Sequence, residues 1–374
     1  MRRFWIAIFA FTLASHGPFA AGLAFGLSRL GAPFATPTAL AVTALLVAAL
    51  PGRLRRLRVD RPLAPWRVWL VEEPYHAHWC ATVAAWPLLL VAGPLAWILA
   101  ASLGSAALGS YLLALAVCLY GVFVRRRWVR VRTLDLPIAG LGAAFDGYRI
   151  AQLSDLHIGG LWSAARAARW IEKVAALDVD LVVLTGDYVT HGDAFHEDIA
   201  TVLSALRGRD GAAVVMGNHD YFGDGERLVA LLRARGVEVL RNEHRVQRRG
   251  GDAFTLAGVD DTWSRRADVA RALEGRDLAL PLIALAHDPQ LFPELARRGA
   301  ALVLSGHTHW GQIAVPFLAT RFNLSRLSYR YHAGLYRDRD AVLYVSPGLG
   351  TTGPPLRLGA APEITVLRLR SAPR

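Results

Sequence analysis

Four long apolar runs occupy the first third of this 374-residue chain. They cover residues 4–27, 32–50, 79–100 and 103–124. Each is close to the ~20 residues that a helix needs to cross the ~30 Å hydrocarbon core of a bilayer. The whole chain is 53% hydrophobic, more than an average soluble domain requires. We therefore predict an all-α transmembrane region of about four helices over residues 1–132, followed by a separate domain over residues 133–374.

The count of four helices is open by about one. The second run starts between prolines and the third contains two more, although lipid-embedded helices tolerate proline better than soluble ones. The first run follows Arg2 and Arg3, so a cleaved signal peptide, including a twin-arginine one, is the competing interpretation. The apolar stretch is long for that role, which favours a membrane helix.

Positive charge is concentrated in the same region. Residues 1–132 hold fourteen arginines, no lysine and three acidic residues, so they carry about +11 of the net charge of +12. The arginines outside the runs precede the first, separate the second from the third or follow the fourth, with one exception near residue 29. Because positively charged loops resist translocation, we predict a multi-pass protein of the cell (inner) membrane whose C-terminal domain is cytoplasmic.

The arginines also bear on the choice of partner. Those between the second and third runs are Arg53, Arg55, Arg56, Arg58, Arg61 and Arg67, and those after the fourth are Arg125, Arg126, Arg127, Arg130 and Arg132. Topology and contact with anionic headgroups explain such clusters better than nucleic acid does. We expect the lipid bilayer as a partner and no nucleic acid.

After residue 148, short β-branched runs alternate with amphipathic stretches at residues 163–177 and 196–206. This alternation predicts an α/β domain with helices outside a sheet. Five of the apolar runs end in residues that often bind metals. These motifs are Asp155-Leu156-His157, Gly186-Asp187, Gly217-Asn218-His219-Asp220, His287 before Asp288, and Gly306-His307-Thr308-His309.

Spacing within the motifs indicates metal binding. Residues i and i+2 at a strand end point the same way and can hold one ion, as Asp155 with His157 and His307 with His309 would. Carboxylate and imidazole suit Mn²⁺, Fe²⁺ and Zn²⁺, and the lack of thiolates favours a labile catalytic site. Two ions about 3.5–4 Å apart need a shared ligand. Asp187 is our candidate for that bridge.

Each motif alone has an ordinary explanation. An Asp or a Gly-Asp after a strand is common in turns, Asn218 could cap a turn, and His287 could begin a helix. The complete ordered set, with every motif after an apolar strand, makes this explanation improbable.

The ordered set resembles the calcineurin-like metallophosphoesterase family over about residues 148–370. The resemblance implies a four-layer α/β/β/α sandwich with two divalent ions, Mn, Fe or Zn, at the strand ends. It implies that His219 is the catalytic histidine, acting on the leaving group or on phosphoryl charge, and that Asp220 orients its ring. The implied ligands are Asp155, His157, Asp187 and His309 for one ion, and Asp187, Asn218, His287 and His307 for the other.

A narrower resemblance rests on residues 306–312, 346–357 and 362–364. They are similar to a membrane-associated bacterial branch that includes UDP-2,3-diacylglucosamine pyrophosphatases. Trp310 departs from the small residue common at that position, and would either crowd the rim or offer an aromatic face to a substrate. Arg357 would either approach a substrate phosphate or lie on the surface.

These observations predict a membrane-bound, dinuclear phosphoesterase that hydrolyses a phosphodiester or pyrophosphate, in a lipid-linked substrate such as UDP-2,3-diacylglucosamine or a phospholipid. The near-neutral second domain favours a substrate presented at the membrane surface. The alternative is an enzyme of soluble nucleotides or phosphoproteins with the helices as anchor only. A vestigial, non-catalytic domain would have lost ligands, and no motif is lost.

A transporter role for the helices is disfavoured. No Asp, Glu, Lys or Arg interrupts the core of the four runs. His16 is the only histidine within them. A lone histidine next to Gly17 and Pro18 is more often the partner of a helix kink than part of a transport pathway.

Overall fold

The computed structural model describes residues 2–56 and 61–372. Arg58 of the predicted basic loop lies outside the described residues, as do residues 373–374 of the predicted second domain. The described residues form two compact units. One contains residues 2–56, 63–127 and 353–356, and the other contains residues 61–62, 128–352 and 357–372. The predicted boundary at residue 133 falls within the first strand of the second unit, Arg130–Ala139.

The first unit is built from helices. They are α1 (Arg2–Ser15), α2 (Gly17–Arg29), α3 (Ala35–Arg56), α4 (Pro65–Arg67), α5 (Glu73–Ile98) and α6 (Leu103–Phe123). A π-helical turn, Val68–Glu72, joins α4 to α5. In the described part of the chain, four helical stretches are long and apolar enough to span a membrane: Ile6–Arg29, Ala35–Arg56, Pro65–Ile98 and Leu103–Arg127. The chain therefore has the predicted four candidate spans.

The third candidate span begins earlier than hydropathy predicts and includes buried charges. Hydropathy places its start at Trp79, whereas the helical stretch begins at Pro65 and contains Glu72 and Glu73, both fully buried. The predicted apolar core, residues 79–100, contains no Asp, Glu, Lys or Arg, so both carboxylates belong to the upstream extension that was not predicted. Hydropathy excludes Glu72 and Glu73 from the span because it scores each residue alone and takes no account of the arginines that pair with them.

Five arginines surround these two carboxylates. The donors are Arg53, Arg56 and Arg67 to Glu72, at N–O distances of 2.9, 3.1 and 3.2 Å, and Arg126 and Arg127 to Glu73. Burying an ionised carboxylate is costly unless it is paired and hydrogen-bonded. Five of the arginines predicted to set topology therefore also pair with buried carboxylates of the first unit.

His16 lies at the break between α1 and α2, as expected for a kink, but it is not isolated. Its Nδ1 donates to the Thr12 carbonyl at 2.7 Å, and its Nε2 lies 3.2 Å from Nε2 of His78 in α5. His78 Nδ1 in turn lies 2.8 Å from the Tyr111 hydroxyl in α6. A buried polar chain thus connects α1, α5 and α6.

Two six-stranded sheets form the centre of the second unit. Their strands are β1 (Arg130–Ala139), β2 (Arg149–Leu153), β3 (Leu181–Thr185), β4 (Ala212–Val215), β5 (Glu238–Val239), β6 (Glu243–Arg249), β7 (Asp252–Val259), β8 (Leu282–Ala286), β9 (Ala300–Ser305), β10 (Gly334–Asp338), β11 (Ala341–Val345) and β12 (Glu363–Ala372). The order is β1-β12-β2-β3-β4-β5 in the first sheet and β10-β11-β9-β8-β7-β6 in the second.

Helices cover the outer faces of both sheets. They are α7 (Ala164–Ala175), α8 (His196–Leu203), α9 (Gly225–Ala234), α10 (Val269–Ala272) and α11 (Phe292–Arg297). The first three pack with alternate residues of the first sheet, such as Val182, and the last two with residues of the second, such as Ala284. The opposite faces of both sheets, including Val183 and Leu285, share one core. The predicted four-layer α/β/β/α sandwich is confirmed.

The five predicted strands before the motifs are β2, β3, β4, β8 and β9. Strands β2, β3 and β4 run parallel to one another, and β8 runs parallel to β9. Since the carboxyl ends of parallel strands meet at the same edge of a sheet, the loops that follow them gather together. This edge carries the candidate site.

Candidate metal centre

The loops at the strand ends bring the predicted ligands into overlapping groups. Within each group the potential ligand atoms lie within 4.8 Å of one another. The groups are Asp155 with His157 and His309, Asp187 with His287 and His307, and His157 with Asp187 and His219. Asp187 belongs to two of the three, as a bridging ligand would.

Short distances connect the first group to the second. His157 Nε2 lies 2.9 Å from His309 Nε2, and His309 Nε2 lies 3.4 Å from Asp155 Oδ1. Asp187 Oδ2 lies 3.7 Å from His157 Nε2 and 3.2 Å from His287 Nε2. One carboxylate oxygen therefore faces both groups.

His307 and Asn218 complete the second group. Nδ1 of His307 lies 3.0 Å from Asn218 Oδ1 and 3.2 Å from His287 Nε2. The other ring nitrogen, Nε2, lies 3.0 Å from the Tyr329 hydroxyl. Tyr329 thus fixes which edge of the His307 ring faces the centre. Sequence analysis missed Tyr329, because it belongs to no motif and lies twenty-two residues away in the chain.

Backbone conformation sets this geometry. Five of the candidate ligands have a positive φ: Asp155 (54°), His157 (48°), Asp187 (58°), His307 (70°) and His309 (51°). Left-handed non-glycine residues cost of order 1–3 kcal/mol each and persist where the surroundings enforce them. Motif glycines allow the close approach, since a Cβ on Gly217 would lie 2.3 Å from Asp187 Oδ1.

The protonation of the imidazoles suits metal binding. Burial lowers the pKa of His157 to about 3 and that of His307 to about 4. Burial, the nearby His157 and the Arg357 guanidinium hold the pKa of His309 well below its usual value. These three rings are neutral at physiological pH and present nitrogen lone pairs, as metal ligation requires.

The carboxylates behave differently from each other. Burial raises the pKa of Asp155 to about 6. Burial would also raise the pKa of Asp187, but the neighbouring histidines His287, His219 and His157 together hold that pKa well below the usual range. Burial lowers the pKa of His287, but Asp187, Asp155 and the Thr185 carbonyl together raise it to about 10. Asp187 is therefore ionised at the centre of the site.

His219 lies at the edge of the groups and is only partly buried. Its ring Nδ1 donates to the Thr190 carbonyl at 2.7 Å, and its backbone N–H donates to Asp187 Oδ1 at 2.9 Å. The Phe222 ring lies 4.5 Å from the imidazole, between centroids. The hydrogen bond to Thr190 keeps a proton on Nδ1, which leaves Nε2 as the nitrogen that exchanges protons.

Asp220 does not have the predicted role of orienting the His219 ring. Its carboxylate instead accepts hydrogen bonds from the backbone N–H groups of Asp187, Tyr188, Val189 and Gly217, at 2.8–3.2 Å. Asp220 therefore holds together the two loops that carry Asp187 and His219. The expectation was wrong because adjacency in sequence does not show which way a side chain points in a turn.

Arg357 requires a second correction. Both predicted roles, substrate contact or surface residue, need an accessible guanidinium, but Arg357 is fully buried. Its Nη2 donates to the carbonyls of Pro347 and Gly350 at 2.8 and 2.6 Å, and lies 3.2 Å from His309 Nδ1. Arg357 supports the loop behind the metal centre.

Trp310 neither crowds the rim nor faces outward. Only 2% of its surface is exposed, and its indole N–H donates to the Val345 carbonyl at 2.8 Å. Its ring packs with four small residues, Ala314, Ala319, Ala333 and Ala360. The departure from the family pattern therefore anchors the segment that follows it.

A cavity of about 350 Å³ opens on the candidate centre. Beside the motif residues, its lining includes the aromatic side chains Phe222, Trp263 and Tyr329 and the polar residues Gln312 and Thr352. Trp263 lies 5.5 Å from the His307 ring, between centroids. Among the three aromatic residues, only Phe222 lies close to a motif in sequence, three residues after His219, whereas Gln312 and Thr352 belong to segments 306–312 and 346–357.

The fold and the site define the class of protein: a phosphoesterase domain with ligands for a metal centre, preceded by candidate membrane helices. Residues 148–311 match the family model "Calcineurin-like phosphoesterase". The chain belongs to the calcineurin-like metallophosphoesterase family, whose members are metal-dependent phosphoester hydrolases and generally dinuclear.

Relatives with transmembrane regions share part of the chain. It is 33% identical to the "Transmembrane protein with metallophosphoesterase domain" of Danio rerio, over 68% of this chain and 61% of that protein. The Bos taurus protein of the same name is 34% identical over 65% of this chain and 57% of its own length. The chain thus spans about three fifths of these two relatives.

A bacterial relative is covered more completely. The "Uncharacterized metallophosphoesterase YkuE" of Bacillus subtilis is 32% identical over 61% of this chain and 80% of its own length. The names of these three relatives specify a metallophosphoesterase, and in two cases a transmembrane protein, but no substrate.

Proposed function

We propose that this protein is a membrane-bound, dinuclear metal-dependent phosphoesterase that hydrolyses a phosphodiester or pyrophosphate bond in a lipid-linked substrate. The observation that carries the proposal is the pair of Asp/His groups that share Asp187, with His219 beside them at a cavity. UDP-2,3-diacylglucosamine and phospholipids are the candidate substrates.

The donor set fits two divalent ions. Asp155, His157, Asp187 and His309 would hold one, and Asp187, Asn218, His287 and His307 the other. The buried carboxylates of Asp155 and Asp187 and the neutral rings of His157, His307 and His309 are oxygen and nitrogen donors that suit a divalent cation, and no lysine lies among these residues. When bound, the two ions would supply Lewis-acid activation of water and of the phosphoryl oxygens.

The protein's own groups supply positioning and a proton. His219 keeps one proton on Nδ1 through its hydrogen bond to Thr190, so Nε2 can donate a second proton to the leaving oxygen. Asp220 fixes the loops of Asp187 and His219 through backbone hydrogen bonds. Phe222 and Trp263 line the cavity beside the imidazoles of His219 and His307, respectively.

The membrane region supports the choice of a lipid-linked substrate. An even number of spans, such as the four candidates, would put both ends of the helical region on one side of a membrane, and the arginine distribution favours the cytoplasmic side of the inner membrane. A lipid substrate would then be available at the bilayer surface. Hydrolysis of soluble nucleotides or phosphoproteins, with the helices as anchor only, is the alternative that the experiment must separate.

The test is metal-dependent hydrolysis by the detergent-purified full-length chain. We expect Mn²⁺-dependent release of UMP from UDP-2,3-diacylglucosamine, or cleavage of a phospholipid, in mixed micelles. His219→Ala should lower kcat by roughly 10²–10⁴-fold, and by less for a p-nitrophenyl diester, whose good leaving group needs little protonation.

Two outcomes would count against parts of the proposal. Turnover of soluble diesters with no lipid cleaved would reject the lipid-linked substrate and favour the alternative. No metal-dependent turnover of any phosphoester by folded, metal-loaded protein would reject the enzymatic function.

A further inference from the structure

An apolar segment beside the candidate active site is exposed. We define residues 313–327 as the apolar loop; it lies between the last motif histidine and β10. Its exposed large side chains are Ile313, Val315, Phe317, Leu318, Phe322, Leu324 and Leu327. Phe317 and Leu327 have relative exposures of 105% and 85%. A soluble protein rarely exposes so many apolar side chains in one short segment.

The loop is held in this conformation by internal contacts. Val315 N–H donates to the Phe322 carbonyl at 2.9 Å, and Ala314 forms an antiparallel bridge with Asn323. Asn323 Nδ2 donates to the Ala319 carbonyl at 2.7 Å. The large side chains are therefore held outward while small residues face the protein.

The inner face of the loop packs on Trp310. Ala314 and Ala319 are buried against this ring. A small residue at position 310 would leave a gap beneath the loop. The unusual tryptophan and the exposed loop thus form one structural feature.

Charge on the loop favours an anionic surface. Residues 311–337 contain four arginines and no Asp or Glu. Arg321, Arg326 and Arg330 are exposed, and the Arg326 guanidinium lies 5.8 Å from the centroid of the exposed Phe322 ring. Aromatic and aliphatic side chains interleaved with arginine are typical of segments that bind the interfacial region of a bilayer.

The loop is also continuous with the candidate site. His309 and Gln312, immediately before it, and Tyr329, immediately after it, line the cavity. Tyr329 is the residue that orients His307. A ligand held by the loop would therefore lie beside the chain segments that line the cavity.

From these observations we propose that the apolar loop inserts its exposed side chains into the headgroup region of an anionic phospholipid bilayer and thereby presents lipid to the cavity. The bilayer is the occupant that fits best, because the chain carries its own candidate spans and the loop carries only positive charge. Presentation of a substrate rests on the proposed function, whereas insertion of the loop does not.

The first experiment measures insertion directly. Phe317→Cys, in a full-length background with Cys80→Ala and Cys118→Ala, is labelled with an environment-sensitive fluorophore and reconstituted into phosphatidylcholine vesicles containing phosphatidylglycerol. We expect a blue-shifted emission that nitroxide-labelled lipid quenches. Leu278→Cys is the matched control, because Leu278 is 77% exposed in the same unit but outside the loop. Equal emission and quenching at the two positions would overturn the proposal.

Two further measurements with the labelled protein test the role of charge and the possibility of self-association. Replacing phosphatidylglycerol with phosphatidylcholine should weaken the quenching at position 317, since the arginines lose their anionic partners. Protection of the probe that depends on protein concentration in detergent, without quenching by labelled lipid, would identify the loop as an interface between copies and overturn bilayer insertion.

The second experiment separates the loop from catalysis. Phe317→Ser with Leu327→Ser should lower hydrolysis of a vesicle-embedded substrate by about tenfold and leave hydrolysis of a soluble diester unchanged. Leu278→Ser should change neither rate. Equal rates of wild type and the double variant on the embedded substrate would overturn lipid presentation. If the wild type hydrolyses no phosphoester, the proposed function fails while the fluorescence result still decides insertion.

Discussion

Both units of this protein bury carboxylates in clusters, but the partners of those carboxylates differ. In the first unit, called the helical unit below, Glu72 and Glu73 face guanidinium groups that carry permanent positive charge. In the second unit, called the catalytic unit below because it contains the phosphoesterase domain, Asp155 and Asp187 face imidazoles, which can give up their protons. The first arrangement pairs carboxylates with fixed charges of the chain, whereas the second pairs them with nitrogen donors that can bind an external cation.

The comparison shows that a buried carboxylate is not by itself evidence of a metal site. Arginine cannot be deprotonated in proteins and offers no lone pair to a metal, so the helical cluster is structural. Histidine offers a neutral nitrogen once its pKa is lowered by burial. Removing a carboxylate should therefore affect stability in one unit and metal-dependent activity in the other.

The largest effect is expected at the shared carboxylate. Asp187→Asn should lower metal-dependent hydrolysis by about 10³-fold or more, because one substitution weakens both metal groups. It should also abolish the rise in melting temperature that Mn²⁺ gives the wild type, since this rise follows metal affinity. Asp340→Asn, on an exposed loop, is the control. A variant that keeps its Mn²⁺-induced stabilisation would contradict the assignment of Asp187 as a bridging ligand.

The corresponding substitution in the helical unit should act on stability. Glu73→Gln removes the negative charge beside Arg126, whose side chain has no exposed surface. We expect a loss of about 3 kcal/mol in the free energy of unfolding, because a buried guanidinium loses its carboxylate. The loss should be the same with and without Mn²⁺. Chemical denaturation in detergent measures it, with Glu172→Gln on the exposed face of α7 as the control.

A loss of activity in folded Glu73→Gln that excess Mn²⁺ restores would break the comparison. The helical carboxylate would then contribute to metal binding rather than to structure alone.

Local sequence signals predicted the framework of both units. The motif residues of the catalytic unit could be predicted because each follows its strand directly, and parallel strands bring such positions to one edge. Hydropathy likewise predicted four spans. Both signals are local along the chain, so neither needs the tertiary structure.

Contacts between distant parts of the chain could not be predicted. The interaction of Glu73 with Arg126 spans 53 residues, and that of His16 with His78 spans 62. The predicted roles of Asp220 and Arg357 were wrong because their contacts, such as those with Asp187 and His309, span 33 and 48 residues. Trp310 differed from the family pattern, but only the structure shows the alanines that pack against it.

A smaller effect in the catalytic unit is expected at Tyr329. Tyr329→Phe removes the hydroxyl that contacts His307 Nε2 at 3.0 Å but keeps the ring. Partners that orient metal ligands contribute about 10- to 100-fold to metal affinity or activity. We expect about a tenfold increase in the Mn²⁺ concentration for half-maximal activity, with kcat largely restored at saturating Mn²⁺. Tyr120→Phe is the control. A fall in kcat at saturating Mn²⁺ would indicate that Tyr329 contacts the substrate instead.

The smallest effect is expected in the polar chain of the helical unit. His78→Phe keeps an aromatic ring in α5 but removes both contacts, to His16 Nε2 and to the Tyr111 hydroxyl. A buried hydrogen bond contributes about 1 kcal/mol, so we expect a loss of about 1–2 kcal/mol in the free energy of unfolding in detergent. Trp97→Phe, at an 82% exposed position of the same helix, should cost less. Metal-dependent activity at saturating Mn²⁺ should be unchanged by either substitution, because these histidines pair with each other and with a hydroxyl rather than with carboxylates. If His78→Phe lowered activity without lowering stability, the helical histidines would have a functional role, and the division between the helical unit and a metal-dependent catalytic unit would fail.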